Sequence, residues 1–275
     1  MNYRNQELQA ALTEMLAWFH RFCSAHQLRY YILGGTMLGA VRHGGFIPWD
    51  DDIDVGMPWE DFLRFRQLMC GHPHDTYILE SPYSDQSDFF YTFGKLYDTR
   101  TTLVENTRVP VRRGIYLDIF ILAGVGDTKE AGIVYFGPIK RRSQLLLAMT
   151  TGIRAERKLY KNAAVLLARC IPRKLVDPRK LLMDIQHRYS GKSFYRHKWV
   201  ATFGGPYWER EILPQAVFGK PTVYTFENMH VYGVSDYDTY LTALYGNWRE
   251  PPPVEKQKPH HDNLYRDLHK SYLEE

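Results

Sequence analysis

Cysteine is scarce in this chain of 275 residues, and Cys23, Cys70 and Cys170 stand far apart with no CxxC pair. That spacing excludes a disulfide framework and a cysteine-rich zinc site, and it predicts a reducing compartment. Long apolar runs are missing too, since no window reaches the roughly 20 apolar residues that a membrane span needs. Met1–Leu12 lacks the basic stretch followed by an apolar core that marks a secretory leader. Internal repeats and low-complexity linkers are also absent. What remains is the expectation of a soluble, unexported enzyme-sized globule, because 44% apolar residues over this length bury one or two cores.

The formal charge of +4 is unevenly spread. Residues 140–180 hold twelve Lys and Arg against Glu156 and Asp177, a net +10, which leaves −6 for the rest of the chain. Such a segment is either a well-solvated helical surface or a face that meets something anionic, such as phospholipid headgroups or a phosphate-rich acceptor. Nucleic acid fits less well, because only Tyr160 offers a stacking ring there among interleaved Leu, Ile, Ala and Val.

Apolar periodicity organises the rest. Leu8, Leu12, Met15, Phe19 and Phe22 recur at spacings of four and three, which predicts an amphipathic helix to about His26. Tyr30–Leu33 reads as a short buried strand, broken by Gly34-Gly35-Thr36 before a brief helical segment through Val41. From Asp50 to Met57, Ile53, Val55 and Met57 alternate with Asp52, Asp54 and Gly56, so period two predicts a strand with one apolar and one acidic face. Pro58, Glu60 and Asp61 mark the first turn of a following helix. Phe90–Tyr97, Thr101–Val104 and Gly114–Ile121 read as further strands of the same sheet. From Phe136 to about Tyr189 the pattern turns helical and basic, and Asp236–Gly246 reads as an acid-capped helix closed by Pro251-Pro252-Pro253. The expected division is a catalytic core over residues 1–130 and, over 131–275, a helical basic region plus a C-terminal segment packing back on that core.

Carboxylates two apart on a strand project from one face, so Asp52 and Asp54 converge. Two bare carboxylates about 4 Å apart repel by roughly 4 kcal/mol at an effective dielectric of about 20. A hard cation relieves this, and oxygen-only ligation favours Mg²⁺ or Mn²⁺, which keeps positions open for water and substrate phosphate. The Gly34-Gly35-Thr36 turn between strand and helix offers backbone amides to a phosphate. Asp118, the one acid on an otherwise apolar strand, would complete the site as a metal ligand or as the base for an acceptor hydroxyl. Lys95 and Arg42 are candidates to neutralise phosphate oxygens. His43, His260 and His261 lack zinc spacing, and the last two read as a solvated tail. Trp49, Tyr91, Tyr97 and Trp248 are candidates for a quaternary-ammonium cage, with ordinary core packing as the competing reading. A solvated acidic loop or a structural Ca²⁺ site in a binding module is the non-enzymatic alternative for residues 50–54.

The run Leu33-Gly34-Gly35-Thr36 through Arg42-His43-Gly44-Gly45-Phe46-Ile47-Pro48-Trp49-Asp50-Asp51-Asp52-Ile53-Asp54 resembles the signature of the LicD family, whose relatives include fukutin-related proteins. Lys95 with Asp98, Leu117-Asp118-Ile119-Phe120, and Tyr240 through Trp248 with Pro252-Pro253 are similar to further family segments. In one departure, Ile121-Leu122-Ala123-Gly124 stands where the family has Pro-hydrophobic-Asp. The resemblance implies an α+β fold with a nucleotidyltransferase-like palm, a mixed sheet flanked by helices, joined here to the mainly helical basic region. It implies a metal-dependent phosphotransferase moving a phosphorylated alcohol, typically phosphocholine from CDP-choline, onto a hydroxyl of a cell-surface glycan, lipid-linked glycan or teichoic acid precursor. CDP-linked ribitol, glycerol or ethanolamine are the alternative donors, and transfer of the nucleotide itself is the rival chemistry. Asp52 and Asp54 map onto the family's metal-binding acids. The expected setting is cytoplasmic, with peripheral contact to the inner membrane face through residues 140–180 and no nucleic acid partner.

Overall fold

In the computed structural model, which describes residues 3–71, 74, 76–84, 86, 88–153, 159–172, 174–259, 261 and 263–274, the N-terminal apolar stripe forms helix α1 (Tyr3–Ala25). Strand β1 (Tyr31–Ile32), helix α2 (Gly34–His43), strand β2 (Asp54–Pro58) and helix α3 (Trp59–Gly71) follow. Next come β3 (Tyr77–Glu80), β4 (Gly94–Asp98), β5 (Thr102–Glu105), β6 (Val111–Arg113) and the long β7 (Tyr116–Gly126). Helices α4 (Lys129–Thr150), α5 (Leu159–Arg169) and α6 (Pro178–Tyr189) lead to β8 (Trp199–Phe203) and β9 (Ile212–Pro214). The chain closes with α7 (Gln215–Phe218), β10 (Thr222–Phe226), β11 (Met229–Gly233), α8 (Tyr237–Tyr245) and β12 (Asn263–Asp267). The molecule is thus a mixed α+β fold, its sheet flanked by helices.

The main sheet runs β10-β11-β1-β2-β7-β4-β3, with β8 and then β9 added along the C-terminal half of β7. Pairs β1–β11 and β2–β7 are parallel, and the others are antiparallel. Strand β7 is the spine: β4 pairs its first half, β8 its second, and β2 lies along its other edge. All but its last residue are buried, as expected of a strand covered on both faces. Because β8–β11 come from residues 199–233, the sheet draws strands from both sides of residue 130.

Two sequence readings change here. Residues 50–53 precede the ladder, so of the acids in the predicted strand only Asp54 lies on β2; pairing with β7 begins at Asp54, after the Ile53 carbonyl accepts the Asp118 amide at 3.0 Å. Thr102–Glu105 does not join the main sheet; it pairs with β6 and β12 in a three-stranded sheet of its own. Alternating hydrophobicity reports that a strand exists, not which edge it pairs with.

Packing anchors the site-bearing elements. Phe19 of α1 meets Tyr30 and Phe65 edge-on, with ring centroids 5.1 and 5.4 Å away, locking α1 to the β1 approach and to α3. Asp236 caps helix α8, its carboxylate accepting the Thr239 amide at 3.0 Å, and the helix presents Tyr240 toward α2. Phe19→Ala should destabilise the fold by about 3–5 kcal/mol, and Asp236→Ala by about 1 kcal/mol, both read as shifts in a urea unfolding midpoint.

Candidate functional site

Parallel register places Asp54 directly beside Asp118 on neighbouring strands, and Lys95 of β4 sits opposite Asp118 on its other side. Three charged side chains therefore share one level of the sheet. Gly94, opposite Ile119, faces Phe62 of α3, so period two turns Asp54 and Asp118 to the other face. Asp50 is buried and Asp52 partly exposed just upstream, and their side chains share a hydrogen bond. Glu211, buried at the β8–β9 connection, adds another acid and accepts the Tyr207 amide at 2.7 Å.

The glycine turn closes over this cluster. Gly34 has φ +52°, and a Cβ there would lie 2.8 Å from Asp54 Oδ2. A Cβ on Gly35 would lie 2.8 Å from Asp50 Oδ2. The pair is thus required by close approach to carboxylates as much as by backbone conformation. The Gly34 amide donates to the Tyr240 hydroxyl at 3.0 Å, and the buried Thr36 hydroxyl accepts the Asp54 amide at 2.9 Å. Thr36 therefore pins the start of β2 to α2.

Electrostatics record the crowding. Burial first, then the charges of Asp52, Asp118 and Asp50, hold Asp54 well above the ordinary carboxylate range. Burial followed by Asp52 lifts Asp50 to about 8, and burial lifts Glu211 to about 8. Asp118 reaches only about 6, because Lys95 and His261 offset its burial. His261 rises to about 9: burial opposes its charge, but a hydrogen bond to Asp51 and the charges of Asp52, Asp51 and Asp118 outweigh it.

Lys95 is almost wholly buried and sits 3.1 Å from Glu105 and 3.4 Å from Asp118. Its ammonium also lies 4.2 Å from the Tyr91 ring centre and 3.2 Å from that of Tyr116. A buried charge persists only when paired in this way. Arg42, by contrast, ends α2 eight residues beyond Gly34, where it meets the Trp248 carbonyl at 3.1 Å and His43 at 3.0 Å. It ties α2 to the segment after α8, away from the acids.

His261, read from sequence as a solvated tail, instead places Nδ1 3.0 Å from Asp51 and Nε2 3.8 Å from Asp52. Among the described residues, Asp51, Asp52 and His261 form a group whose ligand atoms lie within 4.8 Å of one another. His260 lies outside the described residues. The proposed aromatic cage does not assemble. Tyr97 is buried with Leu103 and Tyr116, while Trp248 donates to Asp238 at 3.1 Å; of the four, only Tyr91 lines the cavity described next. Glu211 and Glu105 also belong to the site without a local sequence signal, because distant strand pairings bring them there, while Asp50 and Tyr116 lie two residues from Asp52 and Asp118.

Beside the acids opens a cavity of about 390 Å³. Lys95, Asp118 and His261 line one end, and rings of Phe90, Tyr91, Phe93, Tyr116, Phe203 and Trp208 wall it toward α4. Asp118 Oδ1 is buried without a hydrogen-bond donor, although Lys95 is near it.

A family model described as LicD/FKTN/FKRP, nucleotidyltransferase domain, matches residues 27–129. The chain is 30% identical over 265 residues to the lipopolysaccharide cholinephosphotransferase LicD of Haemophilus influenzae, covering 93% of this chain and 95% of that protein. It is 28% identical over 170 residues to the human ribitol 5-phosphate transferase FKRP, covering 57% of this chain and 34% of FKRP. Mannosyltransferase regulator 4 of Saccharomyces cerevisiae is 28% identical over 123 residues, 43% of this chain and 10% of that protein.

The raised acids fix a pH dependence. Asp50, Asp118 and Glu211 bind protons more tightly when folded than when unfolded, where they titrate near 4. Their contribution is complete below about pH 4 and is lost as pH rises through about 6 and about 8. In chelator, stability should therefore fall between pH 5 and 8.5, and Asp50→Asn should flatten that slope by up to about 1.4 kcal/mol per pH unit. Chemical unfolding across pH checks this.

Proposed function

Since this chain belongs to the LicD family, we propose that it transfers a phosphorylated alcohol, phosphocholine from CDP-choline first among the candidates, to a hydroxyl of a cell-surface glycan or teichoic acid precursor. The observation that carries this reading is the register of Asp54 against Asp118, with the Asp52 carboxylate near enough to act on both and Gly34 and Gly35 pressed against Asp54 and Asp50. Likeness to LicD over nearly the whole chain supports phosphocholine, and likeness to FKRP keeps ribitol phosphate as the alternative group. A nucleotidyltransferase-like palm over the matched residues accords with the parallel β2–β7 pair at the centre of the sheet.

The donor set suits a hard divalent cation. Asp52, Asp54 and Asp118 offer only oxygens, and Asp118 Oδ1 lacks a hydrogen-bond donor. Mg²⁺ or Mn²⁺ held by these residues would supply charge neutralisation and Lewis-acid polarisation of the phosphoryl group. The chain's own groups do the rest. Lys95, fixed between Tyr91 and Tyr116, offsets negative charge at Asp118. Asp118 would either hold the cation or take the proton of the attacking hydroxyl. The aromatic wall excludes water and receives the alcohol head, whose quaternary ammonium gains about 0.5–2 kcal/mol over a ring face. CMP leaves, and no covalent enzyme intermediate is needed.

Phosphorus NMR of the chain with CDP-choline, Mg²⁺ and a glycan acceptor should show CMP as the nucleotide product; release of phosphocholine with the nucleotide on the acceptor, or of pyrophosphate when CTP replaces CDP-choline, would identify nucleotidyl transfer instead. Asp52→Asn and Asp54→Asn should each lower turnover by about 10³-fold or more, about 4 kcal/mol of transition-state stabilisation, with the fold retained. Near-normal turnover by either variant in excess Mg²⁺ would defeat the assignment.

A further inference from the structure

Helix α5 turns its apolar side outward. At 3.6 residues per turn, Leu159, Ala163, Leu166 and Cys170 fall in one row with Leu167 beside it, and all five are exposed. Leu159 and Leu167 are 88% and 71% exposed, while Val165 and Ala168 are the residues buried on the opposite side. Leu175, 77% exposed, extends the patch past the end of the helix. Lys161 is exposed at the start of α5 and Lys174 and Lys180 beyond its end, and the helix carries no acid, so basic residues edge the patch at both ends. An apolar stripe edged by basic residues is the pattern of a helix lying in a lipid interface.

We propose that the outer face of α5 docks this protein on an anionic lipid surface, with Leu159, Leu166, Leu167 and Leu175 entering the headgroup boundary and the flanking lysines meeting lipid phosphates. Charge selects this occupant over a second copy of the chain. Helix α5 carries Lys161 and Arg169 with no acid, and Lys174 and Lys180 follow it, so two copies meeting here would set like charges together, whereas an anionic leaflet complements them. The face also adjoins the cavity: α5 packs on α4, and Arg169 donates to the carbonyl of Thr151, a cavity-lining residue, at 3.2 Å. Leu147 and Val109 are both exposed and both line that cavity, so its mouth is apolar too. A docked chain would open the cavity toward the bilayer, where an acceptor carried on lipid is presented. Only that last consequence rests on the proposed function.

Flotation of the full chain tests docking without any assay of transfer. The wild type should float with vesicles of phosphatidylcholine containing about 30% phosphatidylglycerol, about tenfold or more better than with phosphatidylcholine alone, and lose binding in 0.5 M salt as charges are screened. The double substitution Leu166→Asp, Leu167→Asp should weaken flotation about tenfold or more with an unchanged melting temperature, because both side chains point outward. In an arm independent of that variant, the indole introduced by Leu167→Trp should be quenched by lipids brominated on their acyl chains. Flotation of the double variant equal to wild type overturns the proposal, as does an unquenched indole on bound vesicles. A lipid-free dimer that the double variant dissociates, with no vesicle binding by the wild type, overturns it in favour of self-association.

Discussion

Negative charge gathered at the start of two parallel strands is the constraint around which this structure is arranged. Asp54 and Asp118 are register partners, and Asp50, Asp52 and Glu211 crowd the same space. In a half-buried setting such a cluster exists only if something positive, or protons, offsets it. Without a cation the chain uses both. Lys95 and a charged His261 stand beside Asp118, Asp51 and Asp52, while Asp50, Asp54 and Glu211 retain protons far above their ordinary range. Proton retention of this kind is an energetic debt that a divalent ion removes, which is why the acids and the proposed cation are one proposition.

The scaffold around the cluster follows from it. Side chains at residues 34 and 35 would collide with Asp54 and Asp50, so glycine there lets α2 begin against the carboxylates. Thr36 fastens that helix to β2, and Tyr240 fastens its first amide to α8. Each contact joins distant stretches of chain, and together they fix the carboxylates before any ligand arrives. Lys95 illustrates the same economy: its two carboxylate partners and two ring faces leave its charge in a single position.

Much of this was legible in the sequence where the signal is local. The helical stripe of α1, the strand through Val55 and Met57 and the solitary acid of β7 each depend on neighbours within a few residues and lie where periodicity placed them, while Gly34 and Gly35, expected as a turn ahead of a helix, form the helix's first turn. The failures are equally specific. Asp52 lies ahead of β2 because ladder pairing, not alternation, sets where a strand begins. Thr102–Glu105 went to another sheet because edge choice depends on β12, some 160 residues later. Through that same sheet Glu105 and His261 come to the site, and Glu211 comes through the β8–β9 hairpin, so none had a local pattern to reveal it.

On the proposed function, the acids cannot be what distinguishes one phosphorylated alcohol from another. They would grip a phosphate common to every CDP-alcohol, so binding there is uniform across donors. Discrimination has to come from the cavity beside Asp118, whose wall is largely aromatic: Phe90, Phe93, Phe203 and Trp208 offer no hydrogen bonds other than the indole N–H, the Tyr91 hydroxyl already donates to Glu105, and only the Tyr116 ring adds another hydroxyl. A polyol such as ribitol would need hydroxyl partners, and those left unpaired against rings would each cost about 1–3 kcal/mol. A trimethylammonium group needs none and is attracted by the same ring faces. Lys95 does not oppose that cation with a free charge, because Glu105 and Asp118 already balance it. On that reading the rings would favour choline over a polyol by the hydroxyl partners they withhold, and the polar residues Asn106, Thr107 and Ser143 lining the cavity are where a change of donor would have to be built.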